Sequence, residues 1–98
     1  MPVIDAPEKV KKDEVFEVKI TVGGTDGVDH PDEPGHFIEW LELYSGDTFL
    51  GRVSYSGGVS LPHACFRVKL RHSHGPLKVW EKCNLHGLWE STREIEVE

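Results

Sequence analysis

Only two cysteines, Cys65 and Cys83, occur in the 98 residues, and there is no Cys-x-x-Cys pair. A dense disulfide framework is excluded, as are a rubredoxin-like iron site and a zinc ribbon. No apolar run approaches the ~18–20 residues that a membrane-crossing helix needs. The opening Met-Pro-Val-Ile-Asp-Ala-Pro lacks the basic start and apolar stretch of a signal peptide. The cytoplasm is therefore the expected location, with no membrane partner. Positive charge is also scarce: 11 Lys and Arg stand against 17 Asp and Glu, for a net charge of −6. Phosphate binding needs clustered cations, so nucleic acid is not an expected partner. Repeats, low-complexity tracts and charge blocks are missing, and no window carries a helical 3.6 period. A chain of this length holds one core, so residues 1–98 are read as one domain.

What is present is strand periodicity. From Glu14 to Val22, Phe16, Val18, Ile20 and Val22 fall on one face, and Val15, Glu17, Lys19 and Thr21 fall on the other. Ala64 to Arg71 repeats the pattern, with Ala64, Phe66, Val68 and Leu70 on the apolar side. Phe37 to Tyr44, Phe49 to Tyr55 and Leu77 to Cys83 are further apolar runs. A short strand ends the chain at Ile95 to Val97, and a weak one lies near Val3-Ile4. Ser45-Gly46-Asp47 reads as a hairpin turn, and Ser73-His74-Gly75-Pro76 as a second hairpin joining Ala64–Arg71 to Leu77–Cys83. Six or seven short strands with turns between them suggest an all-β sandwich. Two segments do not read as strands, Gly23 to His36 and Asn84 to Glu90. Loops on a rigid sandwich are where chemistry tends to sit.

These two segments hold donor pairs. Cys83 and His86 form a Cys-x-x-His, close enough to reach one ion. His30 and His36 flank a stretch stiffened by Pro31-x-x-Pro34, which lowers the entropy cost of holding both rings toward one point. Three imidazoles and one thiolate suit tetrahedral zinc, with iron as the second reading.

Cys83-Asn84-Leu85-His86-Gly87-Leu88-Trp89 resembles the signature of the superoxide reductases, the family of neelaredoxin and the desulfoferrodoxin iron domain. His30-Pro31 followed by His36-Phe37-Ile38-Glu39-Trp40 is similar to that family's other ligand loop, and Pro2 to Val10 to its N-terminal region. The resemblance implies an immunoglobulin-like, seven-stranded sandwich. It implies a mononuclear iron, cycling between Fe2+ and Fe3+, that reduces superoxide to hydrogen peroxide. Cys83 would be the axial thiolate, and His30, His36 and His86 would be equatorial ligands. An outside donor such as rubredoxin would restore the iron. The second cysteine-rich domain of two-iron relatives has no counterpart, so the resemblance is to the one-iron type.

The family's fourth histidine lies in a Glu-Lys-His-Val-Pro stretch, and Met1 stands where that valine would be. Three accounts follow: a longer chain beginning upstream, a metal with fewer protein ligands, or a substitute. The hairpin register nominates His63 as the substitute. Water or a neighbouring copy of the chain are the other candidates, which makes a homo-oligomer part of the expectation. Lys82, beside Cys83, is placed to add positive potential for an anionic substrate. The backbone N–H groups of Asn84 and Leu85 are candidate donors to the Cys83 sulfur. Trp40, Trp80 and Trp89 read as core and loop-packing aromatics, and Cys65 as a free thiol. The rival function is a non-enzymatic module that uses the same four donors to hold zinc or inert iron.

Overall fold

The computed structural model describes residues 2–22, 35, 37–57, 63–72 and 75–98. His30 and His36 lie outside these, as do most of the Gly23–His36 segment and His74. Among the described residues there is no helix. The strands, in chain order, are β1 (Pro2–Asp5), β2 (Lys9–Val10), β3 (Val15–Val22), β4 (Ile38–Ser45), β5 (Thr48–Ser54), β6 (His63–Lys69), β7 (Leu77–Cys83), β8 (Gly87–Arg93) and β9 (Glu96–Val97).

Seven of them build two antiparallel sheets, one of order β1-β3-β6 and one of order β5-β4-β7-β8. The remaining two, β2 and β9, form a small parallel pair. This is the immunoglobulin-like sandwich, three strands over four. Alternation explains its core. Phe16, Val18, Ile20 and Val22 of β3 are all buried, as are Leu77, Val79, Glu81 and Cys83 of β7. The two inward faces meet as one apolar cluster that includes Cys83 itself.

Most strand bounds match the periodicity to within a residue or two, and Leu77–Cys83 matches at both ends. Two readings need correction. The expected hairpin between the strands at Ala64–Arg71 and Leu77–Cys83 does not exist. Strand β6 pairs with β3, while β7 lies in the other sheet between β4 and β8. The connection around Gly75-Pro76 therefore crosses from one sheet to the other. The segment Asn84 to Glu90 is also not all loop: strand β8 begins at Gly87. It went unseen because it is the edge strand of its sheet, and its exposed side chains carry no apolar alternation.

A local device sets the register near Cys83. Ile38 pairs with Cys83 and Trp40 with Lys82, so Glu39 is an extra residue, a β-bulge. The bulge lets Ile38 and Leu41, three residues apart, both face the core. It sends Trp40 to the outer face, where the Arg52 guanidinium stacks 4.7 Å from its ring centroid. Trp80 is half-buried on that outer face too, and Trp89 is exposed. The tryptophans are thus not core residues. The phase of the strands overrides their size.

Tyr55, just past β5, bridges the sheets. Its N–H donates to the Glu39 carbonyl at 2.9 Å, and its hydroxyl donates to the His63 carbonyl at 2.8 Å. Burial pushes the phenol up to about 12. In the unfolded chain a phenol ionises near ~10. The stability from the neutral hydroxyl is therefore complete below pH ~10, and it is lost as pH rises toward the folded value. Tyr55→Phe should cost about 1 kcal/mol at pH 8, the worth of one hydrogen bond. Urea unfolding of both proteins up to pH 11.5 should show the gap closing with pH. A gap that stays constant would mean that the hydroxyl does not bridge.

Candidate metal centre

Strand β7 delivers Cys83 to its C-terminal end with the sulfur facing inward; the residue is 1% exposed. The chain then turns through Asn84, Leu85 and His86 and re-enters the sheet at Gly87, which pairs with Cys83. Gly87 has φ 77°, the left-handed conformation that closes such a three-residue hairpin loop. A Cβ there would meet nothing within 4 Å, so the backbone conformation and not space calls for glycine. The turn brings His86 Nδ1 to 3.6 Å from Cys83 Sγ.

That distance fits a shared ion. Bonds of roughly 2.0–2.3 Å from one metal to nitrogen and to sulfur leave the two donors roughly 3–4 Å apart. The donor set also suits iron, since imidazole and thiolate are both iron ligands. Among the described residues no larger cluster of ligand side chains forms. The other expected donors, His30 and His36, lie outside the described residues.

The backbone on either side of residue 36 is described, and it is tied to this turn. Asn84 makes three hydrogen bonds to it. Its backbone N–H donates to the Phe37 carbonyl at 3.1 Å. Its side-chain Oδ1 accepts from the Phe37 N–H at 2.8 Å. Its Nδ2 donates to the Gly35 carbonyl at 3.1 Å. The Asn84 N–H is thus spent on Phe37, not on the Cys83 sulfur as expected. Sequence reasoning missed the carboxamide, whose only signal was an amide-bearing residue directly after a candidate ligand.

Behind Phe37 lies Gly57. A Cβ at Gly57 would sit 2.5 Å from the Phe37 ring, so only glycine lets the ring rest there. Gly57→Ala should destabilise the fold by about 1–3 kcal/mol through overpacking. Because the displaced ring carries the backbone that Asn84 holds, metal retention should fall as well. Thermal unfolding and chelator competition check both effects, and an unshifted midpoint would show that the ring yields freely.

Lys82 alternates away from Cys83 onto the outer face, where its ammonium lies 3.5 Å from the Glu39 carboxylate. His63 is placed differently from the hairpin argument. It pairs with Thr21 of β3, and it shares the outward face of β6 with Cys65 and Arg67. With Lys19, Thr21 and Cys65 it lines an outer cleft of about 320 Å³. Cys83 faces inward from the opposite sheet, so the geometric case for His63 as a fourth ligand falls. Cys65 is an exposed free thiol, as read.

Residues 1–92 match the desulfoferrodoxin family profile. The chain belongs to the desulfoferrodoxin family. Among its relatives is the superoxide reductase of Pyrococcus abyssi, 32% identical over 98% of this chain and 86% of that protein. The superoxide reductase (neelaredoxin) structure from Ignicoccus hospitalis superposes with a TM-score of 0.86 at 43% identity, covering 99% of this chain and 80% of that one. The one-iron superoxide reductase of Giardia intestinalis gives a TM-score of 0.77 at 28% identity, covering 96% and 95%. The likeness to desulfoferrodoxin relatives thus runs through both the sheets and the Cys83 turn.

Proposed function

We propose that this chain is a superoxide reductase: superoxide gains one electron and two protons and leaves as hydrogen peroxide. What carries the reading is the 3.6 Å approach of Cys83 Sγ to His86 Nδ1, in a chain whose family members act on superoxide. Cys83, His86, His30 and His36 would hold a mononuclear iron. Bound iron supplies the electron by passing from Fe2+ to Fe3+, and a thiolate ligand raises the electron density available for transfer. The chain's own residues do the rest. The apolar core around Cys83 shields the sulfur from water and oxidants. The turn holds the imidazole of His86 beside it. Lys82, half-exposed on the outer face 3.5 Å from the Glu39 carboxylate, would add positive potential for an anionic substrate. A one-electron donor of the rubredoxin kind would return the iron to Fe2+.

Product stoichiometry tests the reading. With iron-loaded, pre-reduced protein, each superoxide consumed should give one hydrogen peroxide and no dioxygen. A dismutase gives half that peroxide and releases dioxygen, and that result would overturn the proposal. The zinc-loaded chain should be colourless and inactive.

A further inference from the structure

We propose that the outer face of the β5-β4-β7-β8 sheet is the surface on which a second copy of this chain docks, forming a reversible two-fold dimer. The inference goes beyond the ligand reading above and does not rest on it. Cross-strand partners share a face, so the register sorts the outer side chains of this sheet into three rows. A sheet face turned to water ordinarily reads polar. Here each row carries an aromatic near its centre: Trp40 in the row beside Cys83, Trp80 in the middle row and Tyr44 in the third, all half-buried. At opposite corners stand Leu88 and Phe49, 56% and 54% exposed. Trp, Tyr and Arg are the residue types that dominate binding energy at protein interfaces, and Arg52 completes the set. It is already held in place, 3.2 Å from the Glu42 carboxylate and 4.7 Å from the Trp40 ring centroid, so docking has little of its side chain left to order.

Charge names the occupant. The middle row runs Arg52, Glu42, Trp80, Glu90 across the sheet. A two-fold axis parallel to the strands, between β4 and β7, lays this row on its own reverse, so that Arg52 of each copy faces Glu90 of the other. The same axis sets Lys82 over Trp40 in the row beside Cys83 and Lys78 over Tyr44 in the third row, both cation–π contacts. An axis across the strands would instead stack Arg52 on Arg52 and Glu90 on Glu90. Three cations and two acids are thus interspersed on this face, in a chain whose net charge is −6. The pattern matches its own reverse better than it matches a uniformly acidic or basic partner. Strands of seven or eight residues, with about 3.4 Å per residue and about 4.8 Å between neighbours, give the face a plan of roughly 500 Å². Two such faces cover about 1,000 Å², the small end of specific interfaces, which suits a reversible dimer and not an obligate one. Because the axis runs along the strands, both Cys83 turns leave the dimer at the same end.

Sedimentation equilibrium of the full chain tests this, from about 1 μM to about 1 mM, the range that brackets a micromolar dimer. The average mass of wild type should rise with concentration from one copy toward two. Trp80→Glu sets a carboxylate at the centre of the interface and should leave a monomer throughout. Arg52→Glu and Glu90→Arg each oppose like charges at both symmetric contacts, and each should raise the dissociation constant about tenfold or more. The two swaps combined restore opposite charges and should return the constant to within about threefold of wild type. Thermal midpoints of all variants are recorded alongside, and the charge-swap cycle carries the test if Trp80→Glu does not fold. Wild type that stays monomeric at about 1 mM would overturn the interface. So would an association that Trp80→Glu and both single swaps leave unchanged. Single swaps that weaken the dimer with no rescue in the double variant would overturn the two-fold arrangement, and the proposal with it.

Discussion

Replacing Cys83 by serine is expected to abolish the visible thiolate-to-iron band and to cut superoxide reduction by orders of magnitude. The cost to the metal-free fold should be modest. Cys83 is 1% exposed within the apolar cluster, so serine buries a hydroxyl where a sulfur packed. That is worth about 1–3 kcal/mol in mutational data. The separation between effects is the point. On the proposed ligand set the sulfur would tune the electron transfer, whereas the core around it is made of Ile38, Leu77, Val79 and their partners. Wild-type protein should also melt higher with iron than without, because a ligand bound only to the folded state adds stability by mass action. In the serine variant this increment should shrink sharply. Nearly intact activity in Cys83→Ser would mean that the sulfur does not bind the reacting metal.

The largest loss of stability is expected from Leu41→Ala. Leu41 is fully buried in β4, with β5 on one side and β7 on the other. Truncating such a residue removes transfer free energy and leaves a cavity, together costing about 2–5 kcal/mol. Against the 5–15 kcal/mol typical of a small domain, that is a large share. Each kcal/mol lowers the midpoint of a domain this size by about 4–8 °C. Leu41 lies two residues beyond the bulge that phases Ile38 opposite Cys83. Metal binding by the variant should therefore fail only as the fold fails, with the band unshifted in whatever fraction stays folded. A shift below about 4 °C would place Leu41 outside the core.

The strands and the ligand turn were the legible parts of this protein. Leu77–Cys83 could be read to the residue because every second side chain is buried against the other sheet. Pairing was less legible. Sequential strands are neighbours about two-thirds of the time, and β6 and β7 belong to the remainder. Alternation tells which face of a strand is inward but not which strand lies beside it. A hairpin register sets His63 in the sheet of Cys83, whereas it faces outward from the opposite sheet. Strand β8 was hidden for the opposite reason, having little burial to impose a period. The Cys-x-x-His pair was visible because spacing alone brings its donors together. The Asn84 hydrogen bonds to Phe37 and Gly35 were not, because these partners lie 47 and 49 residues away.

That long reach bears on when the proposed centre could assemble. Local contacts form early and long-range ones late, since loop closure must be paid before distant pairings reward it. The Cys83–His86 turn is local and can form as soon as its hairpin does. The Asn84 bonds to Gly35 and Phe37 need β4 and β7 to lie side by side, so they close only with that pairing. If Cys83 and His86 are ligands as proposed, a chain in which β4 and β7 have not paired would offer a metal only these two neighbouring donors. On the proposed ligand set, full iron loading would follow the pairing of β4 with β7 and would report it.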